Sequence, residues 1–463
     1  MTQLLEPDIG SFRETFGGVV MSPGHRDYDT ARSLWNGAID HRPAVVAGCL
    51  RAADVVEALR FARDRGLEVS VRGGGHSFSG ASVCDAGLMI DLSRMNGVSV
   101  DPAARRARCG GGTTWAALDA ATQEHGLATP GGTISHTGVG GLTLGGGFGW
   151  LTGKAGLSCE NVVAAEVVTA DGRILHASAA ENPDLFWAIR GGGGNFGVVT
   201  SFEFQLHEVG PVVELGLLFW AQDRGAEALR LIAQVLPTLP PTMGTLLACL
   251  NAPPAPWVPA EHQLQPGYAL LVAGFDGPDP HTAFLNEVRA ALPPSFDFVT
   301  PMPYTGLQQM LDDTAPWGIN AYEKAHYLDE LSDGAIDVIV EQMPRKSSPM
   351  SFCPAFPLGG AYRDADENAS AFGGSRSAGI VFNAAAVCPT PELLEADRAW
   401  VRGFWEALRP HANAGSYINF MAEYDEDRVR AAFGPKYDRL AAIKATYDPD
   451  NVFHRGVNIK PAG

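Results

Sequence analysis

Residues 130–149 read PGGTISHTGVGGLTLGGGFG, and nine of these twenty positions are glycine. Each glycine costs backbone entropy in a helix or strand, so a run this dense is predicted to form neither. Chain so bare lies close against something flat or charged. Two other runs share the feature. Gly73-Gly74-Gly75-His76-Ser77 follows an alternating stretch at 67–72, LEVSVR, and Gly191–Gly194 leads through Asn195-Phe196-Gly197 into another. Successive glycines can take positive φ and turn several N–H groups toward one point, a nest suited to a pyrophosphate. The Rossmann and Walker fingerprints are both missing: no helix opens at the third glycine with an acidic partner further on, and no Lys-Ser/Thr follows. Three separated nests point to one large dinucleotide held by main chain. His76, inside the first nest, is placed to act as nucleophile or base.

Working outward, the N-terminal part reads as βαβ. Residues 43–49 are a short apolar run, 52–65 carry helical spacing that Gly66 stops, and 67–72 alternate as a strand. Strands are predicted at 86–92, 161–169 and 197–205, a short helix at 181–190, a helix over 426–445, and an extended tail after it. Glycine runs thin out and proline becomes richer past residue 210, which suggests a boundary near 207–212.

Composition narrows the function classes. The chain has 463 residues, 46% apolar and 19% charged, enough to build a large core. A formal net charge of −18 argues against a nucleic-acid partner. Residues 1–20 lack the basic start and apolar run of a secretory leader. The longest apolar stretch, 212–221, falls short of the roughly 20 residues that a membrane span needs. Seven scattered cysteines without a CxxC pair read as reduced thiols in the cytoplasm, and no metal site is expected.

Further motifs follow in order. They are Gly156-Leu157-Ser158-Cys159-Glu160-Asn161-Val162, Asn182-Pro183-Asp184-Leu185-Phe186-Trp187, Arg190 through Thr200, Tyr417-Ile418-Asn419-Phe420 and Asp448-Pro449-Asp450-Asn451-Val452-Phe453. With the glycine loops they span about 43 to 461. Together they resemble the berberine-bridge-enzyme-like branch of the vanillyl-alcohol-oxidase/p-cresol-methylhydroxylase (PCMH) FAD-linked oxidases. The resemblance is closest to bacterial members of the 6-hydroxynicotine oxidase and enterocin-pathway flavin oxygenase kinds.

That resemblance implies an α+β, two-domain fold. Residues 1–207 and 411–463 would form a PCMH-type FAD-binding domain. Residues 208–410 would form a substrate domain whose antiparallel sheet is covered by helices. FAD would be covalently bound through His76. A second, cysteinyl bond is excluded, because Ile134 stands at that position, and Cys159 reads as a packed thiol. The remaining cofactor contacts would be Arg72, Gly73, Gly74, Gly75 and Ser77 in the first loop. Pro130, Gly131, Gly132, Thr133, Thr137, Gly138, Gly140, Gly141, Leu142, Gly145, Gly147, Phe148 and Gly149 would follow in the long run. Leu157, Asn161, Val162, Gly197, Val198, Val199, Tyr417, Asn419 and Asn458 complete the set.

Thr137 would sit at the flavin edge that meets dioxygen. Tyr417 and Asn419 are the polar side chains expected beside the reaction, with Tyr322, Tyr327 and Tyr362 behind them. His136 reads as a loop histidine without a catalytic part, and Trp257 and Trp317 as core. Several relatives place a carboxylate on a strand before a Gly-Gly turn. The matching segment here, 351–360, holds no acid, so the base is not identified.

The function implied is an oxidase that takes a hydride from an alcohol, amine or activated C–H and reduces dioxygen to hydrogen peroxide. A flavin oxygenase acting on a polyketide-like or aromatic substrate is the alternative, as is a dehydrogenase with a non-oxygen acceptor. Intact motifs disfavour a flavin binder without turnover. The partners would be a small molecule and dioxygen, with neither nucleic acid nor membrane. Oligomeric state is left open.

Overall fold

A computed structural model describes residues 6–463. The leader reading of 1–20 therefore falls partly outside the described residues. Strand Val45–Gly48, helix Ala52–Asp64 and strand Val69–Arg72 form the βαβ unit. The Asp54 carboxylate accepts from the N–H groups of Leu50 and Arg51 at 2.9 and 3.2 Å. It thereby satisfies donors that the first helical turn leaves free and places negative charge at the positive end of the dipole. Val55, Ala58, Leu59 and Ala62 are buried on one face. Gly66, at φ +62°, lets the chain turn away. The two strands are not neighbours: Leu88–Asp91 lies between them, parallel to both. This crossover delivers the end of Val69–Arg72 directly into the Gly73–Gly75 loop.

A second sheet is antiparallel throughout, in the order Val98–Asp101, Arg106–Gly110, Val198–Gln205, Val162–Val168, Ile174–Ser178. The strands expected at 161–169 and 197–205 are its core pair, and the short helix is Pro183–Ile189. Two expectations need correction. The run at 130–149 does contain a helix, Val139–Leu144. A Cβ on Gly140 would lie 2.9 Å from the Gly111 carbonyl oxygen, so the missing side chain lets this helix approach neighbouring main chain. That tertiary fit outweighs an entropy cost of about 1 kcal/mol per glycine. The helix expected over 426–445 is two, Glu426–Phe433 and Tyr437–Tyr447, because Gly434-Pro435 interrupts the hydrogen-bond ladder.

The third large element is a seven-stranded antiparallel sheet. Its order is Phe296–Pro303, Val212–Ala221, Pro266–Gly274, Met243–Asn251, Cys353–Pro357, Ile380–Cys388, Asn320–Leu328. Helices Gly225–Val235, Asp333–Gln342 and Pro391–Leu408 cover one face. Alternation along each strand sorts the side chains. Leu218, Trp220, Tyr322, Cys353, Phe382 and Ala384 join the helices, whereas Leu215, Phe219, Ala325, Tyr327, Phe356 and Val381 pack on the opposite side with Phe148 and Tyr417. That opposite side faces the glycine-rich stretch. The protein is thus an α+β assembly with an antiparallel sheet over bare backbone.

Among the described residues no helix is long and apolar enough to cross a membrane. No group of three or more His, Cys, Asp or Glu is placed there to hold a metal ion. The cysteines are free and buried, and burial pushes the Cys159 thiol far up. Trp257 and Trp317 are not core: they are 36% and 47% exposed.

Candidate active site

A cavity of about 420 Å³ separates the glycine-rich floor from the sheet above it, within the range of small-ligand sites. The floor is largely main chain. At Gly141 and Gly194 a Cβ would meet nothing within 4 Å, so the backbone itself borders open space. The first two glycine runs interlock beneath it. A Cβ on Gly74 would lie 2.2 Å from the Gly138 nitrogen, and one on Gly138 2.3 Å from the Gly74 nitrogen. Gly75 and Gly193 stand at φ +72° and +73°. Such a cradle presents N–H groups to an anionic, elongated ligand and has no side chains to obstruct it. These residues fit a dinucleotide such as FAD.

Most of the sequence-derived contacts meet at this cavity. Gly73, Gly74, Gly75, His76, Ser77, Gly132, Thr133, Thr137, Gly138, Gly140, Gly141, Leu142, Phe148, Gly197, Val198, Val199, Tyr417 and Asn419 line it. Phe453, Arg455, Gly456 and Val457 of the tail add an edge.

Other predicted contacts stand behind the lining. Arg72 pairs with Asp91 at 3.1 Å. The Pro130 carbonyl accepts from the Ser158 hydroxyl at 2.7 Å. Gly131 lies under the Trp115 ring, and Gly149 against the Gly131 carbonyl. Gly145 abuts the Asn419 amide. Asn161 Nδ2 donates to the carbonyls of Ala155 and Leu157, both at 2.8 Å. Leu157 and Val162 are buried, and Asn458 Oδ1 is buried without a partner among the described residues.

Tyr417 is tied into the floor. Its hydroxyl accepts from the Gly147 N–H at 2.9 Å and from Asn419 Nδ2 at 2.8 Å. Asn419 also donates to the Leu142 carbonyl at 3.0 Å. Both side chains therefore brace the glycine loop. Burial raises the Tyr417 phenol, so it stays protonated.

His76 borders the cavity with its ring held in place. Trp35 stacks on it at 5.2 Å and 14°. Its Nε2 is 2.8 Å from His136 Nδ1, whereas its Nδ1 finds only the Thr137 hydroxyl at 3.5 Å. Burial, then His136, then Arg72 depress its pKa to about 3, so the ring is neutral.

The roof holds a residue that sequence reasoning missed. Glu323, on Asn320–Leu328, and Asn383, on Ile380–Cys388, both border the cavity. They are 1% and 2% exposed. Asn383 Nδ2 donates to Glu323 Oε2 at 2.6 Å. Glu323 Oε1 and Asn383 Oδ1 have no partner among the described residues. Burial pushes the Glu323 carboxyl well above the usual range, against the pull of the Asn383 bond. Around the pair the walls are apolar: Leu246, Phe352, Pro354, Phe356, Ala385 and Phe420. Segment 351–360 holds no acid, and the acid that borders the cavity lies two strands away on the same sheet. Tyr322, singled out from the sequence, points to the helix side, where its hydroxyl donates to Glu423 at 2.9 Å. Tyr327 and Tyr362 are fully buried beneath the same face as Glu323. The available signal was one acid in an otherwise buried strand, on the same alternation as Ala321, Ala325 and Tyr327.

Comparison with known proteins agrees with this geometry. Residues 43–178 match the family model for an FAD binding domain, and residues 416–460 the model described as berberine and berberine like. Over 458 residues the chain is 31% identical to (R)-6-hydroxynicotine oxidase of Paenarthrobacter nicotinovorans, covering 96% of this chain and 97% of that one. An FAD-linked oxidoreductase of Dictyostelium discoideum is 28% identical over 456 residues, covering 98% and 97%. The crystal structure of 6-hydroxy-D-nicotine oxidase from Arthrobacter nicotinovorans matches with a TM-score of 0.85 at 27% identity, covering 97% of this chain and 99% of that chain.

Proposed function

Because this chain belongs to the berberine-bridge-enzyme-like FAD-linked oxidoreductases, we propose that it is an oxidase of small, largely apolar amines or alcohols, with FAD bonded covalently through His76. The observation that carries this reading is the unpartnered Glu323 oxygen in an apolar wall opposite the glycine cradle. Bound FAD supplies two-electron chemistry, accepting a hydride from carbon and passing the electron pair to dioxygen as hydrogen peroxide.

The chain's own residues do the rest. The main chain of the three glycine runs would hold the pyrophosphate and ribityl portions of FAD. Thr137 keeps a small polar side chain beside His76. The phenylalanine walls exclude water from the substrate, which strengthens every polar contact inside. Glu323, as carboxylate, takes the proton from the substrate N–H or O–H while the neighbouring C–H gives up its hydride. Asn383 fixes Oε2, which leaves Oε1 to receive that proton. A carboxyl raised by burial is a stronger base than an exposed one.

Anaerobic mixing with a panel of aromatic amines and benzylic alcohols tests the reading. A member of the panel should bleach the flavin absorbance. Labelled dioxygen admitted afterwards should leave its label in peroxide alone. Label in the organic product would replace the oxidase by an oxygenase. Reoxidation by a quinone but not by air would make it a dehydrogenase.

A further inference from the structure

The roof of the cavity carries two oxygens that no protein group meets. Glu323 Oε1 and Asn383 Oδ1 are buried without a partner among the described residues. Their side chains are joined to each other, Asn383 Nδ2 donating to Glu323 Oε2 at 2.6 Å. Each free oxygen belongs to the same carboxyl or amide group as an atom of that bond, so the two form one acceptor pair. Both side chains border the cavity. Around them the sheet side is apolar: Leu246, Phe352, Pro354, Phe356, Ala385 and Val387. Thr314, beyond the sheet, donates its hydroxyl to the Leu311 carbonyl at 2.6 Å.

A buried acceptor without a donor is costly, and a buried carboxylate without a counter-charge is more so. Among the described residues Arg455 is the one Lys or Arg that borders the cavity. It is already engaged, by Glu68 at 2.9 Å and the Val83 carbonyl at 2.8 Å. The missing donors and the missing positive charge have to arrive with the ligand.

We propose that the group held at the roof is a primary amine on an apolar carbon skeleton, with Glu323 Oε1 and Asn383 Oδ1 accepting from the same nitrogen. The inference rests on, and narrows, the reading of the protein as an oxidase of amines or alcohols. An alkylammonium brings N–H donors for both oxygens together with the charge that the carboxylate lacks, and such charge-assisted bonds are the strong ones. An alcohol brings one donor, no charge, and lone pairs that an apolar wall cannot satisfy. A protonated tertiary amine brings the charge but a single donor, so one oxygen stays empty. Asn383 is thus the specificity-determining residue: Nδ2 orients the carboxylate and Oδ1 reads the second N–H.

In turnover one N–H bond of the ammonium breaks and an O–H bond forms at Glu323 Oε1. The electron pair stays on nitrogen, which still donates to Asn383 Oδ1. That pair forms the C=N bond as the neighbouring carbon gives up its hydride, the two-electron loss that FAD chemistry takes up. Water then converts the iminium to a carbonyl compound and ammonium.

Binding to the flavin-loaded protein separates these ligands without turnover. Cumylamine has no hydrogen on the carbon that carries nitrogen, so it is held but not oxidised. Cumyl alcohol, N,N-dimethylcumylamine and cumene share its skeleton. Each is titrated against the visible flavin spectrum. Wild type should bind cumylamine at least about 10-fold more tightly than the alcohol or the dimethylamine, the scale of one hydrogen bond to a charged group. Glu323→Gln and Asn383→Leu should each lose that preference and keep the wild-type affinity for cumene, which reports an intact pocket. An alcohol or tertiary amine that binds wild type as tightly as cumylamine would overturn the proposal. So would a wild type that does not bind cumylamine, or an Asn383→Leu protein that keeps the preference. Flavin bleaching by benzylic alcohols and by no amine would sink this inference and leave the oxidase reading standing. The measured preference with bleaching by neither class would do the reverse.

Discussion

The floor and the roof of the cavity are built by opposite means. The floor is backbone: Gly73–Gly75, Gly138–Gly141 and Gly193–Gly194 are specified by what they lack. The roof is side chains: Glu323, Asn383, Phe352 and Phe356 are specified by what they carry and by which face of a strand they occupy. Where the main-chain loops interlock, as at Gly74 and Gly138, there is no room for a Cβ, so changes there should cost the cofactor. A side-chain site tolerates substitution structurally, so its changes should cost chemistry and leave the flavin bound.

The largest expected effect is at the floor. Gly138→Ala puts a methyl group 2.3 Å from the Gly74 nitrogen, and neither loop can yield without opening the cradle. The purified variant should carry no flavin, measured as visible absorbance per chain. Next comes the roof. Glu323→Gln should keep its flavin and lose about 10²- to 10⁴-fold in turnover on whichever substrate reduces the wild type. Wild-type activity should fall as pH drops through the raised Glu323 pKa, well above the usual carboxylate range, because the base must be ionised to work. The variant should lack that limb, and a limb that persists would assign the base elsewhere.

A smaller effect joins the two regions. Asp119, behind the floor, is fully buried and accepts from Gln308 on Tyr304–Gln309 at 2.9 Å. Burial pushes its pKa up to about 7. A raised carboxyl stabilises the fold while protonated, and that contribution is lost as pH rises from its ordinary value near 3.8 through about 7. Asp119→Asn should therefore be more stable than wild type at pH 8, by at most a few kcal/mol, with the gain shrinking at pH 5 and vanishing below pH 4, read from Tm across that range. The smallest effect is Tyr417→Phe. It leaves the buried Gly147 N–H without its acceptor, at about 1–3 kcal/mol in thermal unfolding, with flavin retained.

The same contrast explains what was legible in the sequence. A site made of backbone is written as glycine in consecutive positions, so the cradle and His76 could be read residue by residue. The βαβ unit was equally plain from its periodicity. The helix Val139–Leu144 was not, because its glycines are paid back by close packing on Gly111, a contact between distant positions. Nor was the acid of the roof. Strand Cys353–Pro357 and strand Asn320–Leu328 flank Ile380–Cys388 out of sequence order. Local pattern cannot reveal that Glu323 and Asn383 meet. One position of register separates Tyr322, which faces helices, from Glu323, which faces the cavity.

The division between floor and roof is tested most directly by flavin content alone. Visible absorbance per chain, measured on Gly138→Ala and Glu323→Gln purified side by side with wild type, needs no substrate. The account predicts none for Gly138→Ala and the full wild-type value for Glu323→Gln. A flavin-loaded Gly138→Ala, or a Glu323→Gln emptied of flavin, would contradict it.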